Sequence, residues 1–531
     1  MMAYPVTGAD PKSRAAQFHR WDRNLHKGDA MNDIGSSSAT KLVEALKNKQ
    51  IGSLELLEFY IERNERLNPR INAIVATNFE SARKRAKEAD AALAKGEVWG
   101  PLHGLPMTIK DIIPVAGMPC TNGMPIAKDF VPAANADVVE LLLDAGAIIF
   151  GKTNVPFQST DSQTFNDVYG QTNNPWDVTR TPGGSSGGSA AALAAGLTGL
   201  EIGGDLGGSI RLPAHFCGVY GHKSSYNIVS TKGGSHPWAL WDPNYYPTDY
   251  YPATDMAVLG PLARSAADLK LAMDVIVGSP LHERKAIKIK LPPPRKTNLR
   301  EFRVGLWLDD PSFPPDNAVG DCLQNMADRL AKAGANLKTE KPNLISLEGS
   351  YKARDTLRNM NVSHTFSQKD FDRAKRYRAK RQTGSLKDEN PDRQARLGLD
   401  ITADVRDYNL NNQLRAVIRQ LWENYFQNFD VLLCPVVRIA AHHHKQTEYF
   451  NRVIPFNDQE LDYWDVLLPW NSLAVVPYLP ATVAPIGFTL ESLPVGVQII
   501  GPYLEDNTSI QFAMLIEEHL TGSFKVPPGF E

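Results

Sequence analysis

The chain has 531 residues, 42% hydrophobic and 22% charged, with a formal net charge of −2. This composition is ordinary for a globular protein that buries a large core, and the length allows several average domains or one large α/β unit. The near-neutral balance gives no reason to expect nucleic-acid or membrane partners.

Cys120, Cys217, Cys322 and Cys434 lie far apart without a CxxC pair, so reduced core residues are expected rather than a disulfide or metal framework. The first residues lack the apolar core of a secretory leader, and no apolar run approaches the ~18 residues of a membrane span. A cytoplasmic protein is the resulting expectation.

Residues 1–36 are polar and aperiodic, which predicts an extended arm that Phe18 and Trp21 anchor to the body. Helical periodicity begins after Ser38, with Leu42, Val43 and Leu46 on one face and Leu54, Leu57 and Ile61 on the next. Ser38 and Ser53 are the candidate N-caps, and a third helix is expected over 78–95. Short apolar runs then alternate with helical ones. Strands are expected at Met107–Ile109, Ala147–Phe150 and Leu200–Ile202. Helices are expected over 137–145, Ser189–Gly196 and Ala266–Val277. Later strands are read at Arg303–Trp307, Val431–Leu433 and Val495–Ile500. This alternation predicts an α/β fold in which helices cover a mixed sheet.

Two stretches read as insertions on a domain spanning 37–522, with 523–531 as a tail. The segment 237–251 carries Trp238, Trp241, Tyr245, Tyr246, Tyr250 and Tyr251 among prolines, and so many rings require burial or a ligand. The segment 366–400 interleaves Lys, Arg, Asp and Glu, as a solvated helical face does.

The densest chemical signal lies between Thr181 and Ala214. Gly183-Gly184-Ser185-Ser186-Gly187-Gly188-Ser189 is followed by Asp205-Leu206-Gly207-Gly208-Ser209-Ile210-Arg211. Glycine this dense marks a backbone that comes close to a ligand. Gly207 and Gly208 let N–H groups converge beside the Ser209 hydroxyl, as an oxyanion hole requires. A serine nucleophile also needs a base. Lys110 is the candidate, because it ends an apolar strand and burial lowers an amine's pKa. Moving that pKa from about 10.4 to near 7 costs roughly 4 kcal/mol, within what desolvation supplies.

These residues resemble the amidase signature hydrolases. The resemblance runs from about Ser38 to Gly522. It rests on Gly104-Leu105-Pro106 through Lys110-Asp111, Gly151-Lys152-Thr153-Asn154, Asn173-Asn174-Pro175-Trp176, the two glycine–serine runs, Gly260-Pro261-Leu262-Ala263-Arg264-Ser265 and Leu493-Pro494-Val495-Gly496-Val497-Gln498. It implies one large α/β domain with a mixed central sheet. It also implies a Ser-cisSer-Lys triad: Ser209 as nucleophile, Ser185 held by a cis peptide as proton relay, and Lys110 as base. Oxyanion donors are implied from Leu206, Gly207, Gly208 and Ser209, with Ser186, Asp205 and Arg211 in support. The chain departs from the family pattern at Lys223-Ser224-Ser225, where Lys-Pro-Thr is common. It departs again at Val155-Pro156-Phe157-Gln158, where an acidic residue is common.

The expected activity is hydrolysis of amide-type C–N bonds through an acyl-enzyme, without metal or cofactor, by a monomer or homodimer. The aromatic loop with Trp238 and Trp241, together with Trp464 and Trp470, suggests an aryl amide, anilide or carbamate substrate, with esterase or urethanase side activity. Competing readings are the amidase subunit of a tRNA-dependent amidotransferase and an inactive binding protein on the same fold. A third is an α/β-hydrolase using Ser185 of Gly183-Gly184-Ser185-Ser186-Gly187 with His215, His222 or His236. No Gly-Lys-Ser/Thr follows the glycines, which excludes a P-loop. His442-His443-His444 is expected in an exposed loop rather than at a metal.

Overall fold

The computed structural model describes residues 34–233, 254–383, 393–447, 449 and 451–531. Phe18, Trp21, His236, Trp238, Trp241 and the rest of the aromatic loop fall outside the described residues.

Eleven strands form one mixed sheet. In chain order they are β1 (Ile74–Thr77), β2 (Pro106–Lys110), β3 (Ile148–Thr153), β4 (Glu201–Asp205), β5 (Tyr220–Lys223) and β6 (Val258–Ala263). They continue with β7 (Arg303–Leu306), β8 (Asn336–Thr339), β9 (Val431–Pro435), β10 (Ala481–Phe488) and β11 (Pro494–Ile500). Their spatial order is β1-β3-β2-β4-β6-β5-β10-β11-β9-β7-β8. The α/β expectation holds. Every residue of β2, β3, β4 and β6 is buried, so these strands show no alternation of buried and exposed side chains, and Lys110, Lys152, Glu201 and Asp205 are buried with them.

β2 runs parallel to both β3 and β4. Parallel neighbours end at the same sheet edge, so Lys110 and Asp205, the last residues of β2 and β4, are brought to one place. That edge is where α/β sheets carry their ligand sites.

Helices follow the predicted segments closely: Ala39–Lys47, Ser53–Ile71, Phe79–Ala94, Asp137–Asp144 and Ala266–Ile276. Ser38 caps the first, accepting the Lys41 N–H at 3.3 Å. Ser53 does not cap the second. Gly52 is the N-cap there, and the Asp90 carboxylate takes the N–H groups of Ser53 at 2.6 Å and Leu54 at 3.1 Å. An outside anion thus does the work that local sequence assigns to a serine side chain.

The helix Gly187–Ala194 is buried at every position. All but Leu193 are glycine, alanine or serine, and a Cβ on Gly188 would run into the backbone of Asn154. The C-terminal residues also dock: Phe530 is buried, and the Arg70 guanidinium lies 4.4 Å from its ring centre.

Three cysteines are buried and Cys322 is partly so; all four are free thiols. No helix among the described residues is long and apolar enough to cross a membrane.

Candidate active site

Lys110 is completely buried at the end of β2. Its Nζ lies 2.6 Å from Ser185 Oγ and 3.3 Å from the Gly204 carbonyl. Burial pushes its pKa down to about 7, against the opposing charges of Asp205 and Glu201. As an ammonium it donates to Ser185. As a neutral amine it accepts the Ser185 proton over the same distance.

Ser185 enters this position through a cis Gly184–Ser185 peptide. The next residue ties the two glycine–serine runs together, since the Ser186 N–H donates to the Ser209 carbonyl at 3.0 Å. Ser186 Oγ reaches the Gly204 carbonyl at 3.4 Å. Lys110, Ser185 and Ser209 all line one cavity of about 850 Å³.

The second run is shaped by Asp205 and Arg211, a fully buried pair with Nε–Oδ2 at 3.0 Å and Nη2–Oδ1 at 2.9 Å. Asp205 also accepts the N–H groups of Gly208 at 2.9 Å and Ile210 at 3.1 Å, so its carboxylate wraps the turn from inside. Burial alone would raise its pKa, but Arg211, Lys223 and the Gly208 N–H hold it far below the usual carboxylate range. The Gly208 N–H is therefore committed to Asp205. Of the four N–H groups expected to face an oxyanion, that of Gly208 thus has its partner within the protein, which runs against the expectation for this residue. Gly208 is needed for conformation instead: its φ is +114°, and a Cβ there would lie 2.6 Å from Asn471 Cγ.

Beneath Lys110 lies a buried acid. Glu201 Oε1 accepts the Thr108 hydroxyl at 2.5 Å, on the strand that carries Lys110. Burial raises its pKa to about 7, opposed by hydrogen bonds from Thr108, Ser189 and Thr153 and by the Lys152 charge.

The sequence-predicted aromatics divide. Trp464 lines the cavity, its indole N–H donating to the Tyr449 carbonyl at 3.1 Å and its ring 4.6 Å from that of Tyr449. Trp470 does not line it. It is wholly buried, donates to the Phe313 carbonyl at 3.0 Å and packs edge-on against Trp307, so its apolar area serves the core. The charged segment does more than face solvent. Its helix Gln368–Gln382 buries only Ala374, but Leu397, Leu399 and Asp400 of the following helix join the cavity wall.

Among the described residues, neither His215 nor His222 is bonded to Ser185. His215 is buried, with Nδ1 accepting the Gly496 N–H at 3.0 Å and Nε2 facing the Ile439 carbonyl at 3.1 Å. His222 is held by Thr482 at 2.9 Å and Asp506 at 3.0 Å. The expected exposed loop at 442–444 is corrected in part: His442 is buried between Phe216 and Tyr463, whereas His443 is exposed. Burial pushes the His442 pKa down to about 4.

The two departures from the family pattern differ in consequence. Ser225 Oγ donates to Asp506 at 2.7 Å and Ser224 Oγ to the Leu259 carbonyl at 2.9 Å, both in the interior. Phe157 and Gln158 stand on the cavity rim.

Sequence reasoning missed three neighbours of the loop, because only the fold brings them there. Arg211 Nη1 donates to Gln498 Oε1 at 2.6 Å and to the Asn471 carbonyl at 2.8 Å. The third is Arg354, whose guanidinium sits where a Cβ on Gly207 would be.

The family model for Amidase matches residues 55–510. The chain belongs to the amidase family. This amidase is 29% identical to a glutamyl-tRNA(Gln) amidotransferase subunit of Nostoc sp. (strain PCC 7120 / SAG 25.82 / UTEX 2576), over 92% of this chain and 99% of that protein. It is 30% identical to the corresponding protein of Trichodesmium erythraeum (strain IMS101), over 91% and 98% of the two chains. Among solved structures, a bacterial aryl acylamidase of the amidase signature enzymes superposes with a TM-score of 0.74 at 26% identity, covering 92% of this chain and 96% of that one. A fatty acid amide hydrolase shares the fold, with a TM-score of 0.73 at 20% identity over 98% of this chain and 92% of the other.

Proposed function

We propose that this amidase hydrolyses the C–N bond of aryl amides, anilides or carbamates through an acyl-enzyme on Ser209. The observation that carries the reading is the buried Lys110 amine, 2.6 Å from Ser185 and on one cavity wall with Ser209. With a pKa brought to about 7, half of the lysine is neutral near physiological pH.

In the forward step Ser209 Oγ attacks the carbonyl carbon. Its proton moves to Ser185 Oγ as the Ser185 proton moves to Lys110 Nζ. The carbonyl oxygen becomes an oxyanion facing the N–H groups of Leu206, Gly207 and Ser209. As the C–N bond breaks, Lys110 returns its proton through Ser185 to the departing nitrogen, and the amine leaves. Water then attacks the acyl-enzyme through the same relay, and the acid is released with Ser209 restored. Supporting an aryl group in the substrate are the rings of Phe157, Phe313, Tyr351, Tyr449 and Trp464 on the cavity wall.

The test is turnover by the purified chain of a p-nitroanilide, a short aliphatic amide and an aryl carbamate. Aryl substrates should be preferred in kcat/KM; equal or better rates on the aliphatic amide would overturn the substrate class. A second reading, a component of an amidotransferase, is favoured by near full-length likeness to such proteins. Hydrolysis by the lone chain, without a partner protein, rejects it.

A further inference from the structure

Thr108 and Lys110 are two residues apart on β2 and share one face of it. Thr108 pairs in register with Glu201 of β4, and Lys110 with Thr153 of β3. All four side chains therefore lie on the face that the helix Gly187–Ala194 covers, where Ser189 Oγ stands 2.9 Å from Thr153 Oγ1. Glu201 is completely buried there, its Oε1 accepting the Thr108 hydroxyl at 2.5 Å. Gly203, between Glu201 and Asp205 on β4, puts no side chain on that face, and a Cβ there would meet Ser186 Oγ at 2.8 Å.

An amine that takes up a proton in a buried site needs a negative charge near it. Two acids act on Lys110, Asp205 and Glu201. Asp205 is tied to Arg211 in a two-pronged pair, and the Lys223 charge acts on it as well. Asp111, next along the chain from Lys110, accepts the Thr121 hydroxyl at 2.5 Å. Lys152 precedes Thr153 on β3, takes the other face and donates to the Ile113 carbonyl. The covering helix Gly187–Ala194 and the strand β6 carry no charged side chain. Glu201, held by a hydroxyl, is thus the carboxylate whose charge is left to act on Lys110. With a pKa of about 7 it is ionised at the higher pH where Lys110 is a free amine.

We propose that the Glu201 carboxylate is the counter-charge for the Lys110 ammonium that forms as Ser209 attacks, and that Thr108 holds it in place. The inference rests on the relay through Ser185 and deepens it. The proton from Ser209 stops at Lys110 Nζ; Glu201 neither takes it nor bonds to the substrate. It is a positioning residue, acting only through Lys110. Its charge has two effects of opposite kind. It keeps Lys110 protonated up to a higher pH, and it stabilises the ammonium once the free amine has accepted its proton.

The experiment compares the pH profiles of p-nitroanilide hydrolysis by the wild type and Glu201→Gln. The amide still accepts the Thr108 hydroxyl, so the packing is kept while the charge goes. The midpoint of the acid limb of kcat/KM should move down by about one pH unit, and the plateau above it should fall about 10-fold. A lower plateau with an unmoved midpoint is what a merely structural role gives, and it overturns the proposal. Thr108→Val removes the hydroxyl that favours the carboxylate and should move the midpoint the same way by less. If Glu201→Gln does not fold, an unmoved midpoint in Thr108→Val overturns the proposal. Lys110 is also read directly, from the Cε resonance of isotope-labelled lysine that is absent in Lys110→Met. In the wild type its titration should be broader than one proton gives, because Glu201 titrates across the same range. A single-proton curve overturns the proposal without any substitution. If no amide is cleaved, hydrolysis is the reading that fails, and the Cε titration still decides whether Glu201 acts on Lys110.

Discussion

Arg211 and Asp205 form a wholly buried, two-pronged ion pair at the foot of the loop that carries Ser209. Asp205 lines the cavity, and its charge opposes the lowering of the Lys110 pKa. The pair also fixes the turn, as the Asp205 carboxylate accepts the N–H groups of Gly208, Ile210 and Arg211.

Removing one member exposes that role. Asp205→Asn leaves the Arg211 guanidinium buried without its counter-charge, at a cost of about 3–5 kcal/mol. Denaturant unfolding should show the loss, and hydrolysis by the folded fraction should fall with it. A stable variant with full turnover would refute the bracing role.

Lys110 sets a pH dependence with a definite sign. With its pKa held near 7 by burial, kcat/KM should rise as pH passes through about 7 and the amine loses its proton. Stability moves the same way. Between about 7 in the fold and about 10.4 in the unfolded chain, the unfolded state binds more protons, so raising pH favours folding. Lys110→Met should therefore raise Tm, more at pH 6 than at pH 9, while abolishing turnover. A flat pH–rate profile across pH 6–8 would contradict the base assignment.

Ser209→Ala and Ser185→Ala should each lower kcat/KM by at least about 1,000-fold, since members of a catalytic unit fail together. A fluorophosphonate should label the wild type at Ser209 and should not label Ser209→Ala. Labelling at Ser185 instead would favour the α/β-hydrolase mechanism.

His215→Asn should lose stability by about 1–3 kcal/mol, because the ring bridges two backbone groups in the interior. Its folded fraction should still hydrolyse amides. Complete loss of turnover in a folded His215 or His222 variant would revive the histidine-based rival.

Gly207→Ala should reduce turnover on the order of 100-fold, the size of losing one oxyanion donor, as the new methyl meets Arg354. Combined with Arg354→Gln, the two losses should couple by more than about 0.5 kcal/mol in a double-mutant cycle, as contacting residues do. Strict additivity would place the guanidinium elsewhere.

Much of this protein is written locally. The buried strand ending at Lys110, the helix of small residues Gly187–Ala194 and the two glycine–serine runs are legible because burial, close approach and unusual backbone each demand particular residues at particular spacings. What depends on distant segments is not. In sequence Gly208 reads as an oxyanion donor, whereas in the fold Asp205 holds its N–H. Trp470 reads as a pocket ring, whereas Trp307 and Phe313 enclose it in the core. Ser53 loses its capping role to Asp90, a residue of another helix. Arg354 is one charge among many on its helix, and only the fold sets it on Gly207. Residue chemistry and short-range spacing determine which groups can react. Which donors stay free, and which side chains face a ligand, is decided by packing between segments far apart in the chain, where one nearby carboxylate or ring changes a group's partner.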